Sequence, residues 1–234
     1  MIARELLTGL VLAGGQGRRM QAAESGHTHG HARVDRYVGS AADLPAAQSG
    51  DSAVQTPGPM LEKGLLELNG MPLVEHARRQ LALYVDKVLI SANTSLDAYA
   101  EYGVVVSDDE ALGSYSGPLA GVASALKCVV TPWLVVLPVD VPCAPVDLIG
   151  RLCGAVSVTG PRIAYAATAA GVHPLCMVVH RGLVDSLYDF LLAGERKVQF
   201  WQRQNGAVPV LFDDAGDAFF NINTPEDLLR ARGR

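Results

Sequence analysis

Short aliphatic runs recur along the chain, with stretches of helical apolar spacing between them. The clearest runs are Leu7–Leu12, Lys87–Ser91, Val104–Val106, Trp133–Leu137 and Ile163–Thr168. Their apolar character is continuous rather than alternating, which predicts strands covered on both faces, as in a parallel sheet. Leu73–Leu83, Pro118–Val129 and Pro145–Leu152 read as helices, with Pro118 and Pro145 in first turns, where a missing N–H costs nothing. The order β-α-β-α-β predicts a doubly wound α/β domain with a mostly parallel sheet, Rossmann-like and three-layered (α/β/α). In the last third, His173–His180 reads as a strand, Leu183–Leu192 as a helix and Ala207–Phe212 as a strand. Thr224 then opens a final helix, with Pro225 at its first position and Glu226 and Asp227 in its first turn.

One segment breaks the rhythm. Gln21 to Pro59 is rich in Ala, Gly, Ser, Asp, Gln and His and holds no sustained period. Its few apolar side chains cannot offset the entropy of ordering it, so it is expected to be a disordered excursion. The chain is therefore read as a single domain over 1–234 carrying an insertion at 21–59.

Composition narrows the class. With 234 residues, 49% hydrophobic and only 6% aromatic, the core must be built from Ala, Val, Leu and Gly, which suits strands covered by helices. A net charge of −5 gives no global attraction to nucleic acid or to an anionic membrane, so any polyanion site must be local. No apolar run approaches the ~18 residues of a membrane span. Arg4 before Leu6–Ala13 imitates a signal peptide, but Glu5 and Gly9 interrupt it and no small-residue cleavage site follows. Cys128, Cys143, Cys153 and Cys176 lack metal or redox spacing and read as small apolar side chains. A cytoplasmic location is expected.

The first strand ends in "LAGGQGRRM", Leu12 to Met20. No GxxxxGK-Ser/Thr loop is present, and the dinucleotide pattern begun by Gly15 and Gly17 fails at Met20. Gly14, Gly15 and Gly17 would let a phosphate approach main-chain donors, and Arg18 or Arg19 would add a forked charge. A tight surface turn with two solvated arginines remains the plain alternative. Asp140, in "LPVDVP", follows another strand and would face the same crevice, where Mg²⁺ characteristically joins one or two carboxylates to phosphate oxygens. Its plain alternative is a turn or capping aspartate. Asp108, in "VVVSDD", occupies an equivalent place. Two strand-end acids with one glycine loop suggest a nucleoside triphosphate and its metal.

The blocks "LVLAGGQGRRM", "KGLLELNGMPLVEH", "SAN", "GPLAGV", "LPVDVP" and "FFNINTPEDL" together resemble the molybdenum cofactor guanylyltransferases, in the family's order and over nearly the whole chain outside 21–59. The resemblance implies a nucleotidyltransferase domain that joins GMP from GTP to molybdopterin and releases pyrophosphate, with Mg²⁺ as cofactor. It implies that Leu12, Ala13, Gly14, Gly15 and Gly17 line the nucleotide and its phosphates. Lys63 would neutralise the triphosphate with Arg19, Asn93 and Asp108 would surround the nucleoside, and Asp140 would bind both the metal and GTP. Lys197, Asn221 and Asn223 would face molybdopterin. Gly14 and the Gly117–Gly121 block favour guanine over cytosine within such families. Partners implied are GTP and molybdopterin, molybdopterin-synthesis proteins and molybdoenzyme chaperones, but not nucleic acid or membrane, and a monomer is expected.

The chain departs from the pattern in three places. A long insertion replaces the family's short loop between the arginine pair and the lysine. Glu62 stands where the family has Asp before Lys63, and Lys197 stands where arginine is usual, keeping the charge without the fork. "HTHGH" at His27, His29 and His31 reads as solvated histidines rather than a metal site. His173 is open to two readings, a residue facing the second substrate or a satisfied core histidine. Trp133 and Trp201 read as packing residues.

Overall fold

The structure is a computed structural model that describes residues 2–14, 62–113, 117–213 and 217–232, without the side chains of 157–159. The 21–59 insertion lies outside the described residues, as do Gly15, Gly17, Arg18 and Arg19. The strands are β1 (Leu7–Leu12), β2 (Glu67–Leu68), β3 (Met71–Pro72), β4 (Val88–Ser91), β5 (Val104–Val106), β6 (Trp133–Pro138), β7 (Ile163–Thr168), β8 (Gly171–His180) and β9 (Val208–Leu211). The α-helices are α1 (Leu73–Ala82), α2 (Leu96–Ala100), α3 (Pro118–Cys128), α4 (Leu148–Thr159), α5 (Val184–Leu192), α6 (Val198–Gln204) and α7 (Pro225–Ala231).

Seven strands form one sheet in the order β5-β4-β1-β6-β8-β7-β9. From β1 the chain first winds outward through β4 to β5 and then returns to β1's other side as β6. The strand order therefore reverses beside β1, which is where open α/β sheets leave a ligand crevice at their carboxyl ends. β1 pairs in parallel with both neighbours, Leu12 lying opposite Ser91 on one side and Pro138 on the other. β8 is antiparallel to β6 and β7, so the doubly wound parallel half passes into a mixed half.

Alternation along the central strands explains the three layers. Leu7 and Val11 of β1 and Val135 and Leu137 of β6 enter one core, with Leu73, Ala77 and Leu81 of α1 and Leu148, Leu152 and Cys153 of α4. Leu10, Leu12, Leu134 and Val136 enter the other, with α3, α5 and Trp201 of α6. All six residues of β1 are buried, as the unbroken apolar run requires. Gly9 marks where α1 rests on β1, for a Cβ there would meet Val85 Cγ2 at 3.1 Å and Leu81 Cβ at 3.3 Å. Gly121 serves the same end on the opposite face: a Cβ would come within 2.2 Å of Ser91 Oγ and 3.1 Å of Ser91 Cβ. One glycine of the "GPLAGV" block is thus required by helix–strand packing.

The tight turn between β2 and β3 has Asn69 at φ 53° and Gly70 at φ 76°. Positive φ at both central residues is the hairpin geometry that matches strand twist, and Asn-Gly supplies it. Two-residue strands cannot stand alone. Buried Leu68, the His76 Nε2···Leu68 O contact of 3.0 Å and the Leu73 N–H donated to Leu66 O at 2.9 Å fasten the hairpin to α1.

The helix expected from Pro145 begins instead at Leu148. Gln80 of α1 donates to the carbonyls of Ala144 (2.8 Å) and Pro145 (2.9 Å), and Leu148 N–H donates to Pro145 O (3.0 Å), so this stretch is held as a turn. α2 and α6, absent from the sequence reading, are short helices of 5 and 7 residues, which give an apolar period too little length to register. In β8 the pairing jumps from Tyr165↔Met177 to Ala166↔His173, leaving Pro174–Cys176 in a bulge. Proline, with no N–H to donate, fits such a break.

On α1, Glu75 is nearly buried and accepts from Arg78 Nε (2.5 Å), Arg78 Nη2 (2.8 Å) and Arg79 Nε (2.7 Å). The Arg78 hydrogen bonds, opposed by burial and aided by Arg79, lower its pKa from 4.5 to about 2. A depressed carboxylate stabilises the fold above its unfolded pKa, and that contribution fades as pH falls through the folded value. Glu75→Gln should lose roughly 1–2 kcal/mol at pH 7 after allowance for screening around the exposed arginines. Urea midpoints of the two proteins should converge between the ordinary carboxylate pKa of 4.5 and about 2; a constant difference down to the lower pH would refute the assignment.

Candidate active site

Three segments converge at the carboxyl ends of β1 and β6. Past β1, Ala13 N–H (3.0 Å) and Gly14 N–H (2.9 Å) both donate to Ser91 O at the end of β4. Past β6, Val139 N–H donates back to Leu12 O at 3.2 Å, extending the ladder to the residue before Asp140. The third segment comes from near the carboxyl terminus, where Ile222 N–H donates to Asp140 O at 2.9 Å. That bond sets Asn221 and Asn223 on either side of Asp140's backbone.

Lys63 reaches this junction from a single 3-10 turn, Lys63–Leu65, capped by Glu62. Its Nζ donates to Asn223 Oδ1 at 2.8 Å and to Asp140 Oδ2 at 3.4 Å. The Asn223 bond has full geometry, whereas the Asp140 contact is longer than a charge-assisted bond of about 2.7–2.9 Å. An ammonium with three donors, one of them loosely engaged, is free to turn toward an incoming anion. The side chains of Lys63 and Asp140 are 15% and 29% exposed, enough to meet a ligand and too little to be fully screened.

Asn223 is held in turn by the opening of α7. Asp227 Oδ2 accepts from the N–H groups of Asn223 and Thr224, both at 3.0 Å, while Asp227 N–H donates to Thr224 Oγ1 at 3.1 Å. This is a reciprocal capping box, and the backbone bond from Asn223 is the main reason the Asp227 pKa is lowered.

A second pair lies past β4 and β5. Asn93 Nδ2 donates to Asp108 Oδ2 at 2.9 Å, and Asp108 N–H donates to Asn93 Oδ1 at 2.8 Å. Burial raises the Asp108 pKa against the effect of the Asn93 bond. The next residue fixes this loop from behind. Asp109 accepts from Lys127 Nζ (2.5 Å), Tyr188 Oη (2.9 Å) and Ala111 N–H (3.0 Å), and the Lys127 bond leads in lowering its pKa to about 2.

The fold and these pairs point to a nucleotide-handling enzyme, and comparison with known proteins decides which kind. The sequence model described as MobA-like NTP transferase domain matches residues 56–208. The chain belongs to the MobA-like nucleotidyltransferase family. Molybdenum cofactor guanylyltransferase from Shewanella amazonensis is 38% identical over 167 residues, 71% of this chain and 85% of that protein. The protein of the same name from Shewanella frigidimarina is 39% identical over 165 residues, covering 70% and 84%. Among solved structures, molybdopterin-guanine dinucleotide biosynthesis protein A from Archaeoglobus fulgidus superposes with a TM-score of 0.66 over 97% of each chain at 21% identity, a likeness of fold.

For this nucleotidyltransferase the structure brings together Lys63, Asp140 and Asn223, and separately Asn93 with Asp108. Leu12 and Ala13 are buried at the end of β1, and Gly14 is exposed beyond them. Lys197 is exposed at the start of α6, where its carbonyl caps the helix, and Asn221 is exposed beside Ile222. Among the described residues neither side chain bonds to Lys63, Asp140 or Asn223. Arg19, Gly15 and Gly17 lie outside the described residues. His173 stacks on Phe219 with centroids 4.3 Å apart, and burial lowers its pKa. Trp201 is fully buried, as a packing residue should be. No described helix is long and apolar enough to cross a membrane.

Sequence reading missed the support behind these groups: Gln80, the Ile222 amide, Asp109, and Glu62 with its partners. Only the capping box left a local signal, in Thr224-Pro-Glu-Asp227. Thr224→Ala should lower stability by about 1 kcal/mol, the ordinary value of such a cap. Asp227→Ala, which also frees the Asn223 amide, should cost more; equal urea midpoints for the two variants would contradict the dual role given to Asp227.

Proposed function

We propose that this chain transfers GMP from GTP to the terminal phosphate of molybdopterin, forming the guanine dinucleotide cofactor and releasing pyrophosphate. The observation that carries the reading is Lys63 Nζ poised between Asp140 and Asn223 at the crevice of a MobA-like nucleotidyltransferase. Asn93 and Asp108 support a nucleoside position one strand away, with Leu12, Ala13 and Gly14 between. Asn221, Asn223 and Lys197 are assigned to the molybdopterin side, and Arg19, Gly15 and Gly17 to the triphosphate. The reaction is placed in the cytoplasm, where molybdopterin-synthesis proteins would supply the acceptor and molybdoenzyme chaperones would take the product.

The chemistry joins two anions. The acceptor phosphate attacks the α-phosphorus, a new P–O bond forms there, and the bond to the bridging oxygen of pyrophosphate breaks. A phosphate monoester with a second pKa near ~6 is already largely dianionic at neutral pH, so the nucleophile needs no general base. Repulsion is the obstacle. Two unit charges about 4 Å apart at an effective dielectric of ~20 repel by roughly 4 kcal/mol, about a thousandfold in rate. The Lys63 ammonium, redirected from its loose Asp140 contact, offsets part of that charge, and Asn223 keeps its side chain in the crevice.

A nucleotidyltransferase of this family calls for a divalent metal. Among the described residues no three His, Cys, Asp or Glu side chains cluster as a preformed cage. One strand-end carboxylate beside bound phosphates fits Mg²⁺, which relies on few protein ligands, and Asp140 would hold it. When bound, Mg²⁺ would neutralise phosphate charge and favour departure of pyrophosphate.

Guanine selectivity is assigned in part to Gly14. A Cβ there would meet nothing closer than Ser91 O at 3.6 Å and Ala92 Cα at 3.7 Å, ordinary contacts, so the described packing does not demand glycine. The methyl group would instead narrow the nucleotide side.

Lys63→Ala and Asp140→Ala should each lower pyrophosphate release from GTP, with molybdopterin and Mg²⁺ present, by about a hundredfold to a thousandfold while thermal melting stays cooperative. Near wild-type turnover in Asp140→Ala would refute the mechanism. Gly14→Ala should raise KM for GTP several-fold and shrink the preference for GTP over CTP without lowering the melting temperature; unchanged selectivity would remove Gly14 from base discrimination.

A further inference from the structure

Lys63 is positioned by more than Asp140 and Asn223, the two groups its ammonium meets among the described residues. Glu62, immediately before it, has no side-chain bond to the 3-10 turn that it caps; its carbonyl accepts from Leu65 N–H at 3.0 Å. The Glu62 carboxylate instead crosses to the loop after β4, where Oε1 accepts from Thr94 Oγ1 at 2.5 Å and from Ser95 Oγ at 3.2 Å. Thr94 follows Asn93, the partner of Asp108. Ser95 sits in the left-handed region at φ 50°, ψ 38°, a conformation that a serine adopts rarely and that calls for outside support.

Beneath this contact lies Tyr99, fully buried on α2, whose hydroxyl lies against the Gly64 backbone and the Glu62 carboxylate without completing a well-formed hydrogen bond. It presses on the residue after Lys63: a Cβ on Gly64 would stand 2.6 Å from Tyr99 Oη. Burial first, and then the nearby Glu62 charge, raise the phenol's pKa, so it remains neutral. The turn carrying Lys63 is therefore gripped on both sides, by the Glu62 carboxylate before it and by the Gly64–Tyr99 contact after it.

We infer that Glu62 is a positioning residue, whose carboxylate, clasped by Thr94 and Ser95, fixes the Lys63 turn relative to the Asn93–Asp108 loop and so aligns the Lys63 ammonium, which faces the triphosphate, with the nucleoside position. The inference rests on the nucleotidyl-transfer reading of the site. Reach explains the side chain: glutamate is one methylene longer than aspartate, and here the carboxylate must span from the turn to the β4–α2 loop. Because the alignment matters most when charge moves between phosphates, its loss falls on kcat more than on KM for GTP.

The test combines turnover with a readout independent of it, the rate at which an amine-reactive ester acylates Lys63 in the intact chain, followed by mass spectrometry. Glu62→Ala should acylate at least threefold faster and lose about tenfold in kcat, with KM for GTP within twofold of wild type. Thr94→Val, which removes one of the two bonds, should share part of the effect, and the double variant should be no worse than Glu62→Ala, because Glu62→Ala already removes the Thr94 bond. Glu62→Gln, which keeps the acceptor, should recover to within about threefold of wild-type kcat, whereas the shorter Glu62→Asp should not. Acylation and kcat both within twofold of wild type in Glu62→Ala, or additive losses in the double variant, would overturn the inference. A wild-type chain that releases no pyrophosphate would instead refute the transfer reading, with the acylation rates still judging the clasp.

Discussion

Parallel pairing of β1 with β6 is the constraint on which the site depends. With Leu12 level with Pro138, both strands end at the same height, and the Val139 N–H to Leu12 O bond carries the register past the last strand residue. Gly14 and Asp140 are consequently delivered to the same rim of the sheet by a buried ladder. A shift of a single residue would exchange the side chains of β6 between the two cores, so the packing on both faces enforces the register. The chemistry inherits its geometry from that hydrophobic requirement.

Charge is then assembled on this rim from distant parts of the sequence. Lys63 comes from the segment before β2, and Asn223 comes from the entry to α7, yet they meet at 2.8 Å. Each is fixed from behind: Asn223 by Asp227 and by its neighbour Ile222 on the Asp140 carbonyl, the Asp140 loop by Gln80 at the turn that follows. Lys63 and Asp140 stay partly exposed while their supports are backbone bonds and charge-assisted pairs. Such a division suits a reaction in which placement and electrostatics dominate over proton transfer. The grip on Lys63 is uneven, tight to Asn223 at 2.8 Å and loose to Asp140 at 3.4 Å, and under the proposed function this leaves the ammonium charge available to an incoming phosphate.

How much was legible beforehand depended on the range of the physics involved. Strands β1, β5 and β7 match the expected spans to the residue; β1 does so because a strand covered on both faces must be continuously apolar, while the edge strand β5, with Val104 exposed, was legible from its run of β-branched valines. The opening of α7 was equally clear, since capping chemistry acts over three residues. The helix after Pro145 was placed too early because Gln80, 65 positions away, holds the proline carbonyl in a turn. Gly121 looked like part of a nucleotide motif, yet its closest neighbour is Ser91 on an adjacent strand. The Asn69-Gly70 hairpin went unread because the strands around it are two residues long and make no periodic pattern.

By itself the sequence determined the layered α/β class, the glycine-ended first strand, the strand-end acids and, through six ordered blocks, the family. Those features rest on local periodicity and residue type, which a linear chain displays directly. Tertiary structure alone decided that Lys63 meets Asp140 and Asn223, that Asn93 and Asp108 hold one another, and that Glu62 reaches Thr94 and Ser95. Such contacts join segments separated by 15 to 160 positions, and their distances are set by how helices pack on the sheet. No local pattern of residues encodes that packing, so it had to be seen folded.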